Sequence, residues 1–250
     1  RDERCQIEPT KVTWEGTSFS PDVNYALLPA TVFNLKNNVL RVPNASMHSE
    51  LSVRPLLGDF TAKLESVKDS ASKSYPRFRC TDNQVIFNDF FPQMSYAGGV
   101  QFKGSQILGI RNEDEPARIE IHQADTTLME FSGLEFLLSP KGWSCAHAQF
   151  MMHYAEDTLS HPDVQVRFNK NRNQITVYRQ DKGLGQQPFT DDYHQLEWDV
   201  PGLLWEVNST RMKIGSAIDG GSAIAQFAST NYFEQRSFDA LQGQDPTNPV

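Results

Sequence analysis

The amino-acid sequence predicts an all-β protein built as a two-sheet antiparallel sandwich, or jelly roll. About a dozen short segments alternate apolar and polar residues, and turn residues separate them every roughly 8–12 positions, a spacing typical of sandwiches. No long amphipathic segment indicates a helix, and no repeat of fixed period indicates a propeller or a solenoid. Because no linker divides the chain, we expect one domain over residues 1–250, with an irregular lead-in at 1–30 and a polar tail at 241–250.

The first half of the chain supplies hairpin and strand patterns in succession. Thr31–Val42 is predicted as a hairpin around Asn37–Asn38, because asparagine tolerates the positive φ of tight turns. His48–Arg54 alternates as a single strand, and a Ser- and Lys-rich loop is expected at residues 66–79. Further predicted strands are Asp59–Glu65, Gln84–Phe87, and a hairpin of Gly98–Phe102 with Gln106–Ile110.

The second half continues the same pattern. Val164–Phe168 and Gln174–Tyr178 form the clearest hairpin, joined by Asn169–Asn173, whereas Gln149–Tyr154 fits a helix or a strand equally well. The other predicted strands are Arg118–His122, Thr127–Phe131 paired with Leu134–Leu138, Gln195–Val200, Leu203–Val207, Arg211–Ile214 and Thr230–Phe238.

Composition and charge restrict the classes of partner. The chain has 250 residues, of which 38% are hydrophobic and 11% aromatic, enough for a sizeable core. Its net charge of -8 and its pI of about 5.2 argue against bulk binding of nucleic acid. No apolar run approaches the roughly 18 residues of a membrane helix, so no membrane span is expected.

Cysteines and sequons bear on the compartment. The three cysteines, Cys5, Cys80 and Cys145, lack the spacing of a zinc site, and a Cys80–Cys145 disulfide or three separate thiols are both open. The sequons at Asn44 and Asn208 fit N-glycosylation. With a chain that starts at Arg1, these features favour a secreted or periplasmic protein.

Three predicted strands carry ionisable side chains on one face, which is unusual for a face that merely meets solvent. On 117–125, Arg118, Glu120 and His122 share a face, while Ile119 and Ile121 point the other way. The other two faces are His48, Glu50, Ser52 and Arg54 on one strand and Tyr232, Glu234 and Arg236 on the other. We expect the three faces to line one cleft that binds a polysaccharide or an oligosaccharide.

Two reactions could use such a cleft. In β-elimination on a uronic-acid polysaccharide, Arg54 and Arg118 would neutralise the uronate, His122 would act as the base and Tyr232 as the acid, or Tyr232 would serve as both. In glycosidic hydrolysis, Glu50 and Glu120 would form the pair of carboxyl groups. His48, Glu234 and Arg236 would contribute to substrate binding in either case.

The same segments resemble the strand motifs of jelly-roll alginate lyases. His48–Leu51, Glu120–His122 and Tyr232–Gln235 follow one another in the order of that family's three motifs, with Glu120 and His122 matching a Gln and a His and Tyr232 matching the catalytic Tyr. His48 stands where the motif has Arg. The chain is also similar to the wider concanavalin A-like class of glucanases and lectins. The resemblance implies a polysaccharide lyase that acts by β-elimination.

Several other interpretations stay open at this point. A non-catalytic lectin or adhesin would need hydrogen-bonding groups and aromatic platforms but no proton-transfer pair. The four tryptophans could stack on sugars, although a core role is the usual one. No cofactor is expected, apart from a structural calcium that Asn112–Glu115 could bind. Glu130 and Glu135 do not form a same-face carboxylate ladder on one strand.

Overall fold

The computed structural model describes residues 3–14, 20–34, 36–63, 74–82, 84–215 and 225–230. These residues form 21 β-strands and a short 3-10 turn at Gly183–Gln186, so the all-β prediction is confirmed. The strands are β1 (Arg4–Ile7), β2 (Thr10–Thr13), β3 (Tyr25–Leu28), β4 (Thr31–Asn34), β5 (Val39–Ser49), β6 (Ser52–Lys63), β7 (Arg77–Cys80), β8 (Val85–Phe91), β9 (Met94–Lys103), β10 (Gln106–Ile110), β11 (Ala117–Gln123), β12 (Thr126–Gly133), β13 (Glu135–Ser139), β14 (Gly142–Tyr154), β15 (Asp157–Asn169), β16 (Gln174–Arg179), β17 (Phe189–Asp191), β18 (Leu196–Asp199), β19 (Gly202–Glu206), β20 (Met212–Ile214) and β21 (Gln226–Ser229).

The strands pair in an antiparallel arrangement consistent with the predicted sandwich. Most neighbours in the sheet are also close in the chain, as in β5–β6, β6–β7, β11–β12 and β14–β15. β9 is central, because its first half pairs with β8 and β11 while its second half pairs with β7 and β10. β1 and β4 form a separate two-stranded ribbon. The jelly-roll connectivity stays a prediction.

The core is one apolar cluster that extends from Trp14 to Val207. It is rich in aromatic rings, which meet edge to face, as Trp14 does with Phe60 and Phe102 at centroid distances of 6.0 Å. Such contacts add to the free energy gained by burying the rings. All four tryptophans of the sequence are buried, which assigns them to the core and excludes them as sugar platforms.

Two hairpins that were predicted from short polar turns are confirmed. Lys103 pairs with Gln106, which closes the β9–β10 hairpin over Gly104 and Ser105. Asn169 pairs with Gln174, which closes β15 on β16. Gln149–Tyr154, which the sequence left open, lies in β14 and is extended.

Two predicted pairings are wrong. Thr31–Val42 is not a hairpin, because β4 pairs with β1 whereas β5 pairs with β3 and β6. Thr127–Phe131 does not pair with Leu134–Leu138, because β12 lies between β11 and β14 while β13 lies between β10 and β14. In both cases a distant strand supplies the hydrogen bonds.

The predicted strand His48–Arg54 is also wrong. Ser49 pairs with Ser52, so the chain reverses at Glu50 and Leu51, which separates His48 on β5 from Arg54 on β6. Asn24 holds this turn from the interior: its Nδ2 donates to Glu50 Oε1 at 3.2 Å, and its Oδ1 accepts from Ser49 Oγ at 3.1 Å. A buried amide with these partners fixes the turn against solvent.

The lead-in is more ordered than the sequence indicates, since it contributes β1, β2 and β3. The three cysteines are free thiols, so the Cys80–Cys145 disulfide is wrong. Instead, Cys80 Sγ donates to Leu57 O at 3.2 Å and Cys145 Sγ to His147 O at 3.1 Å. Burial raises the pKa of the Cys145 thiol to about 11, which keeps it protonated and unreactive. The predicted polar tail, the last two residues of the predicted strand Asp59–Glu65 and the predicted final strand beyond Thr230 lie outside the described residues.

Gly58 sits where β6 and β7 approach too closely for a side chain. A Cβ on Gly58 would lie 2.6 Å from Phe78 Cζ and would clash with the backbone carbonyl of Arg79. We therefore expect Gly58→Ala to lower the free energy of unfolding by roughly 3 kcal/mol, as measured by chemical denaturation. Leu57→Ala, at the adjacent exposed position, is the control and should change it by about 0.5 kcal/mol or less. Equal stability of the two variants would contradict this close approach.

Candidate functional site

The outer face of β11 carries the polar set that the sequence predicts. Arg118, Glu120 and His122 are partly exposed, whereas Ile119 and Ile121 on the opposite face are fully buried. Arg118 Nη1 lies 3.6 Å from Glu120 Oε1, and His122 Nε2 lies 3.8 Å from Glu120 Oε2. The three side chains therefore form one connected group, with the carboxylate of Glu120 between the guanidinium of Arg118 and the imidazole of His122.

The neighbouring strand β12 adds a second carboxylate. Glu130 lies directly opposite Glu120 in the antiparallel ladder. Its Oε1 accepts a hydrogen bond from Ser132 Oγ at 3.1 Å and lies 3.3 Å from Arg118 Nε. The side chain of Glu130 is 15% exposed, half the 30% of Glu120, so it is the more enclosed and the more tightly held of the two.

A bulge in the β11–β12 hairpin creates this pairing. His122 pairs with Thr127 next to the turn, but Ile121 pairs with Met129, so Leu128 is an additional residue in β12. Without the bulge, the register from the turn would place Met129 opposite Glu120. A bulge of one residue shifts every later pair and so changes which side chains face each other.

Side chains on both neighbouring strands, β9 and β12, orient His122. Ser95 Oγ lies 2.9 Å from His122 Nε2, and Thr127 Oγ1 lies 3.5 Å from the other ring nitrogen, Nδ1. The backbone N–H of His122 donates to Gln93 O at 2.8 Å. With both ring nitrogens next to hydroxyl groups, the imidazole is fixed beside Glu120.

A shallow depression of about 190 Å³ lies beside this group. Arg118 and Glu120 line it, and the other lining residues are Gln84, Ala97, Gly98, Asn112, Glu115 and Pro116. Arg118 is the single basic residue among the described residues that line it, against the carboxylates of Glu115 and Glu120. The depression and its rim therefore favour a neutral or hydroxyl-rich ligand over an anionic one. We call Ser95, Arg118, Glu120, His122, Glu130 and Ser132 the β11 site.

The other predicted site residues do not join the β11 site. His48 stacks on Tyr25, with ring centroids 4.5 Å apart, and Glu50 is held by Asn24. Arg54 is exposed near the start of β6. β5 and β6 pair with β3, with β7 and with each other, and neither pairs with β11. The remaining predicted residues, Tyr232, Glu234 and Arg236, lie outside the described residues.

The acidic turn before β11 is closed by its own hydrogen bonds. Asn112 Oδ1 accepts backbone N–H groups from Asp114 at 3.0 Å and Glu115 at 2.6 Å. Within the described ranges, no group of three or more His, Cys, Asp or Glu side chains is placed to hold a metal ion. The described part of the chain also contains no helix long and apolar enough to cross a lipid bilayer.

Two features of the outer faces were not predicted from the sequence. Glu130 faces Glu120 across the β11–β12 pairing. The sequence pattern related Glu130 only to Glu135 and gave no sign that it would lie opposite Glu120. A row of basic side chains on β5, β7 and β9 was also missed, because residues 66–79 were predicted as a loop although Arg77 begins β7. The alternation Arg77–Phe78–Arg79–Cys80 was the signal that could have revealed this strand.

Comparisons with protein-family models, with curated proteins and with solved structures gave no match to this chain. The resemblance to alginate lyases therefore stays a prediction from its motifs.

His161 is a structural histidine in the interior of the protein. It is buried, its Nε2 lies 2.8 Å from Gln187 O, and the backbone N–H of Asp163 donates to its Nδ1 at 3.1 Å. These contacts select the neutral ring with its proton on Nε2. Burial, and to a lesser extent the charge of Arg179, lowers the pKa of His161 below its ordinary 6.5.

This burial makes stability depend on pH. Below pH 6.5 His161 binds a proton in the unfolded state but stays neutral in the folded state until the pH reaches its lowered pKa. The free energy of unfolding should therefore fall as the pH drops through and below 6.5. His161→Gln should flatten this dependence in urea denaturation measured between about pH 7.5 and 5. His153→Gln is the matched control and should keep the wild-type slope. An unchanged slope in His161→Gln would show that other groups cause the acid sensitivity.

Proposed function

We propose that this protein is a carbohydrate-active enzyme that hydrolyses glycosidic bonds at the β11 site, with Glu120 and Glu130 as its pair of carboxyl groups. The observation that carries the proposal is the direct cross-strand pairing of these two residues on the outer face of the sheet. Glycosidases need two carboxyl groups that flank the scissile bond. Hydroxyl-bearing and charged side chains around the pair supply hydrogen bonds for sugar hydroxyl groups.

The pairing also indicates the stereochemical course. Residues directly opposite each other in an antiparallel ladder have Cβ atoms about 4.5–5.5 Å apart. A Cβ spacing of this size is compatible with the separation of about 5–5.5 Å between carboxyl groups that retaining enzymes use, and is short of the roughly 6.5–9.5 Å of inverting enzymes. A retaining mechanism, with a covalent glycosyl-enzyme intermediate, is therefore the proposed course.

The contacts suggest how the two roles divide. Glu130 is enclosed and held by Ser132 and Arg118, which suits a nucleophile whose oxygen must stay aimed at the anomeric carbon. Glu120 lines the depression and neighbours His122, which suits the group that protonates the leaving oxygen and later activates water. In this scheme Arg118 and Ser132 orient Glu130, whereas Ser95 positions His122 beside Glu120.

Charge favours hydrolysis over β-elimination at this site. A lyase must neutralise the carboxylate of a uronate, and here the guanidinium of Arg118 already faces two carboxylates. Elimination by His122 and Tyr232 stays the alternative that the motif resemblance favours. A lectin is a further alternative, because the same hydrogen-bonding groups can hold a sugar without cleaving it.

The two sequons support an extracellular setting as part of the proposal. Asn44 lies at the β5 bulge and Asn208 in the turn after β19, both exposed and both with positive φ, of 56° and 76°. Their side-chain amides are thus accessible to a glycosyltransferase. The buried free thiols of Cys80 and Cys145 need no oxidising compartment and so do not support an extracellular location. That location is proposed from the sequons.

Removing either carboxyl group should abolish hydrolysis. We expect Glu120→Gln to lower turnover by at least about a hundredfold, because proton transfer contributes that much, and Glu130→Gln to lower it at least as much, because the glycosyl-enzyme intermediate needs its carboxylate. His122→Ala should lower turnover as well. Turnover is measured as new reducing ends released from a panel of polysaccharides. Glu135→Gln, an exposed carboxylate on β13, is the control and should keep wild-type turnover.

The same assay separates the alternatives. A wild-type product that absorbs in the ultraviolet through a new conjugated double bond would identify β-elimination and contradict hydrolysis. Binding of a polysaccharide without any product from the wild-type protein would identify a lectin. Full turnover in both Glu120→Gln and Glu130→Gln would remove this pair from the mechanism.

A further inference from the structure

A second outer surface, distinct from the β11 site, gathers positive charge from four adjacent strands. In the ladder of β5, β6, β7 and β9, Arg41 pairs with Thr61, Thr61 with Arg77, and Arg77 with Lys103. Paired residues share a face, and adjacent strands lie about 4.8 Å apart. Three cations therefore form a row across the sheet.

Further cations flank this row. Arg79 follows Arg77 on the same face of β7, and Lys63 lies at the end of β6. The surface encloses a groove of about 460 Å³, which Arg41, Arg77 and Arg79 line together with Asp59, the one acidic residue among its described lining residues. We call the surface formed by Arg41, Lys63, Arg77, Arg79 and Lys103 the basic groove.

The positive charge of the basic groove is available to a ligand. Among the described residues, none of its five cations forms a salt bridge. Arg41, Lys63 and Arg79 are exposed. In a chain whose net charge is -8, three cations against one carboxylate among the described lining residues, with Lys63 and Lys103 beside them, mark a local reversal of the electrostatic potential.

Arg77 is held in place before any ligand binds. Its Nε donates to Ser74 O at 2.9 Å and its Nη2 to Ser74 Oγ at 3.2 Å. The guanidinium also lies over the ring of Tyr75, 4.4 Å from the centroid, and Lys63 Nζ lies 5.5 Å from the same centroid. A guanidinium has five N–H donors, so the remaining ones can bind an oxyanion at a small cost in side-chain entropy.

We propose that the basic groove binds an anionic polysaccharide through its carboxylate or sulfate groups. The proposal rests on the proposed glycan activity for the choice of a polysaccharide, whereas the cation row itself is independent of that activity. Arg41, Arg77 and Arg79 pair with successive anionic groups, since guanidinium forks match planar oxyanions. The basic groove thus selects acidic stretches of a polymer whose bonds are cleaved elsewhere on the protein.

Two observations favour a glycan over a nucleic acid. Duplex DNA carries one charge per about 1.7 Å, so most of its phosphates would extend beyond five cations onto the surface of an acidic protein. Binding of single strands depends on aromatic rings that stack on bases. Tyr75, the ring at the basic groove, is already contacted by Arg77 and Lys63. A glycan has a lower charge density than DNA and needs no aromatic ring for base stacking, so both observations are compatible with it.

The experiment is titration calorimetry of the full chain with polygalacturonate, dextran sulfate and neutral dextran. We expect at least one of the two anionic polymers to bind, with an affinity that falls as NaCl is raised, and neutral dextran to bind at least about tenfold more weakly without a dependence on NaCl. In the triple variant Arg41→Gln/Arg77→Gln/Arg79→Gln the affinity should fall at least about tenfold, because charge-assisted contacts are lost. The double variant Arg41→Gln/Arg79→Gln, which spares the contacts of Arg77, should show a smaller loss and should fold as the wild type does.

The matched control is Arg167→Gln/Arg172→Gln/Arg211→Gln, which removes the same charge from exposed positions elsewhere and should bind within about twofold of the wild type. Equal losses in the two triple variants would overturn the basic groove as a site. Binding of neither anionic polymer, or tighter binding of a single-stranded DNA oligonucleotide, would overturn the glycan. The triple basic-groove variant should lower the affinity by the same factor in a Glu120→Gln/Glu130→Gln background, where no turnover occurs, so loss of catalysis and loss of the basic groove are measured separately.

Discussion

Side-chain alternation along the antiparallel ladder is the constraint on which the rest of this structure depends. Each pleated strand turns successive side chains to opposite faces, so a strand that buries one face must expose the other. On β9, Met94, Tyr96 and Phe102 are buried, which leaves Ser95 and Lys103 on the outer face. Ionisable side chains therefore gather mainly on outer faces, where the register between strands decides which of them meet.

Burial in the interior makes several potentially reactive groups unavailable for chemistry. Burial raises the pKa of the Cys145 thiol to about 11, and it raises the pKa of the Tyr96 hydroxyl, which donates to Gly99 O at 2.6 Å. Burial lowers the pKa of His161, and both of its ring nitrogens lie against backbone groups. Each of these groups has a structural partner within the fold, so chemistry is left to the outer faces.

Two outer surfaces of opposite charge share β9. Ser95, near one end of β9, contacts His122 of the β11 site, and Lys103, at the other end, pairs with Arg77 of the basic groove. A net charge of -8 describes the chain as a whole and conceals this separation. The potential that a ligand meets depends on local groups, because solvent ions screen exposed charges beyond about 8–10 Å. An acidic protein can in this way present a site for an anion beside a site for a neutral sugar unit.

Local patterns determined the fold class and part of the pairing. Alternation predicted β11 with its buried Ile119 and Ile121, and polar turns predicted the β9–β10 and β15–β16 hairpins, because turn and strand residues there are neighbours in the chain. Only the tertiary structure decided that β4 pairs with β1, that Asn24 holds the turn at Glu50, and that the bulge at Leu128 sets Glu130 opposite Glu120. The physical reason is that register and partner depend on contacts between distant segments, and a shift of one residue exchanges every pair without changing the alternation that a sequence displays.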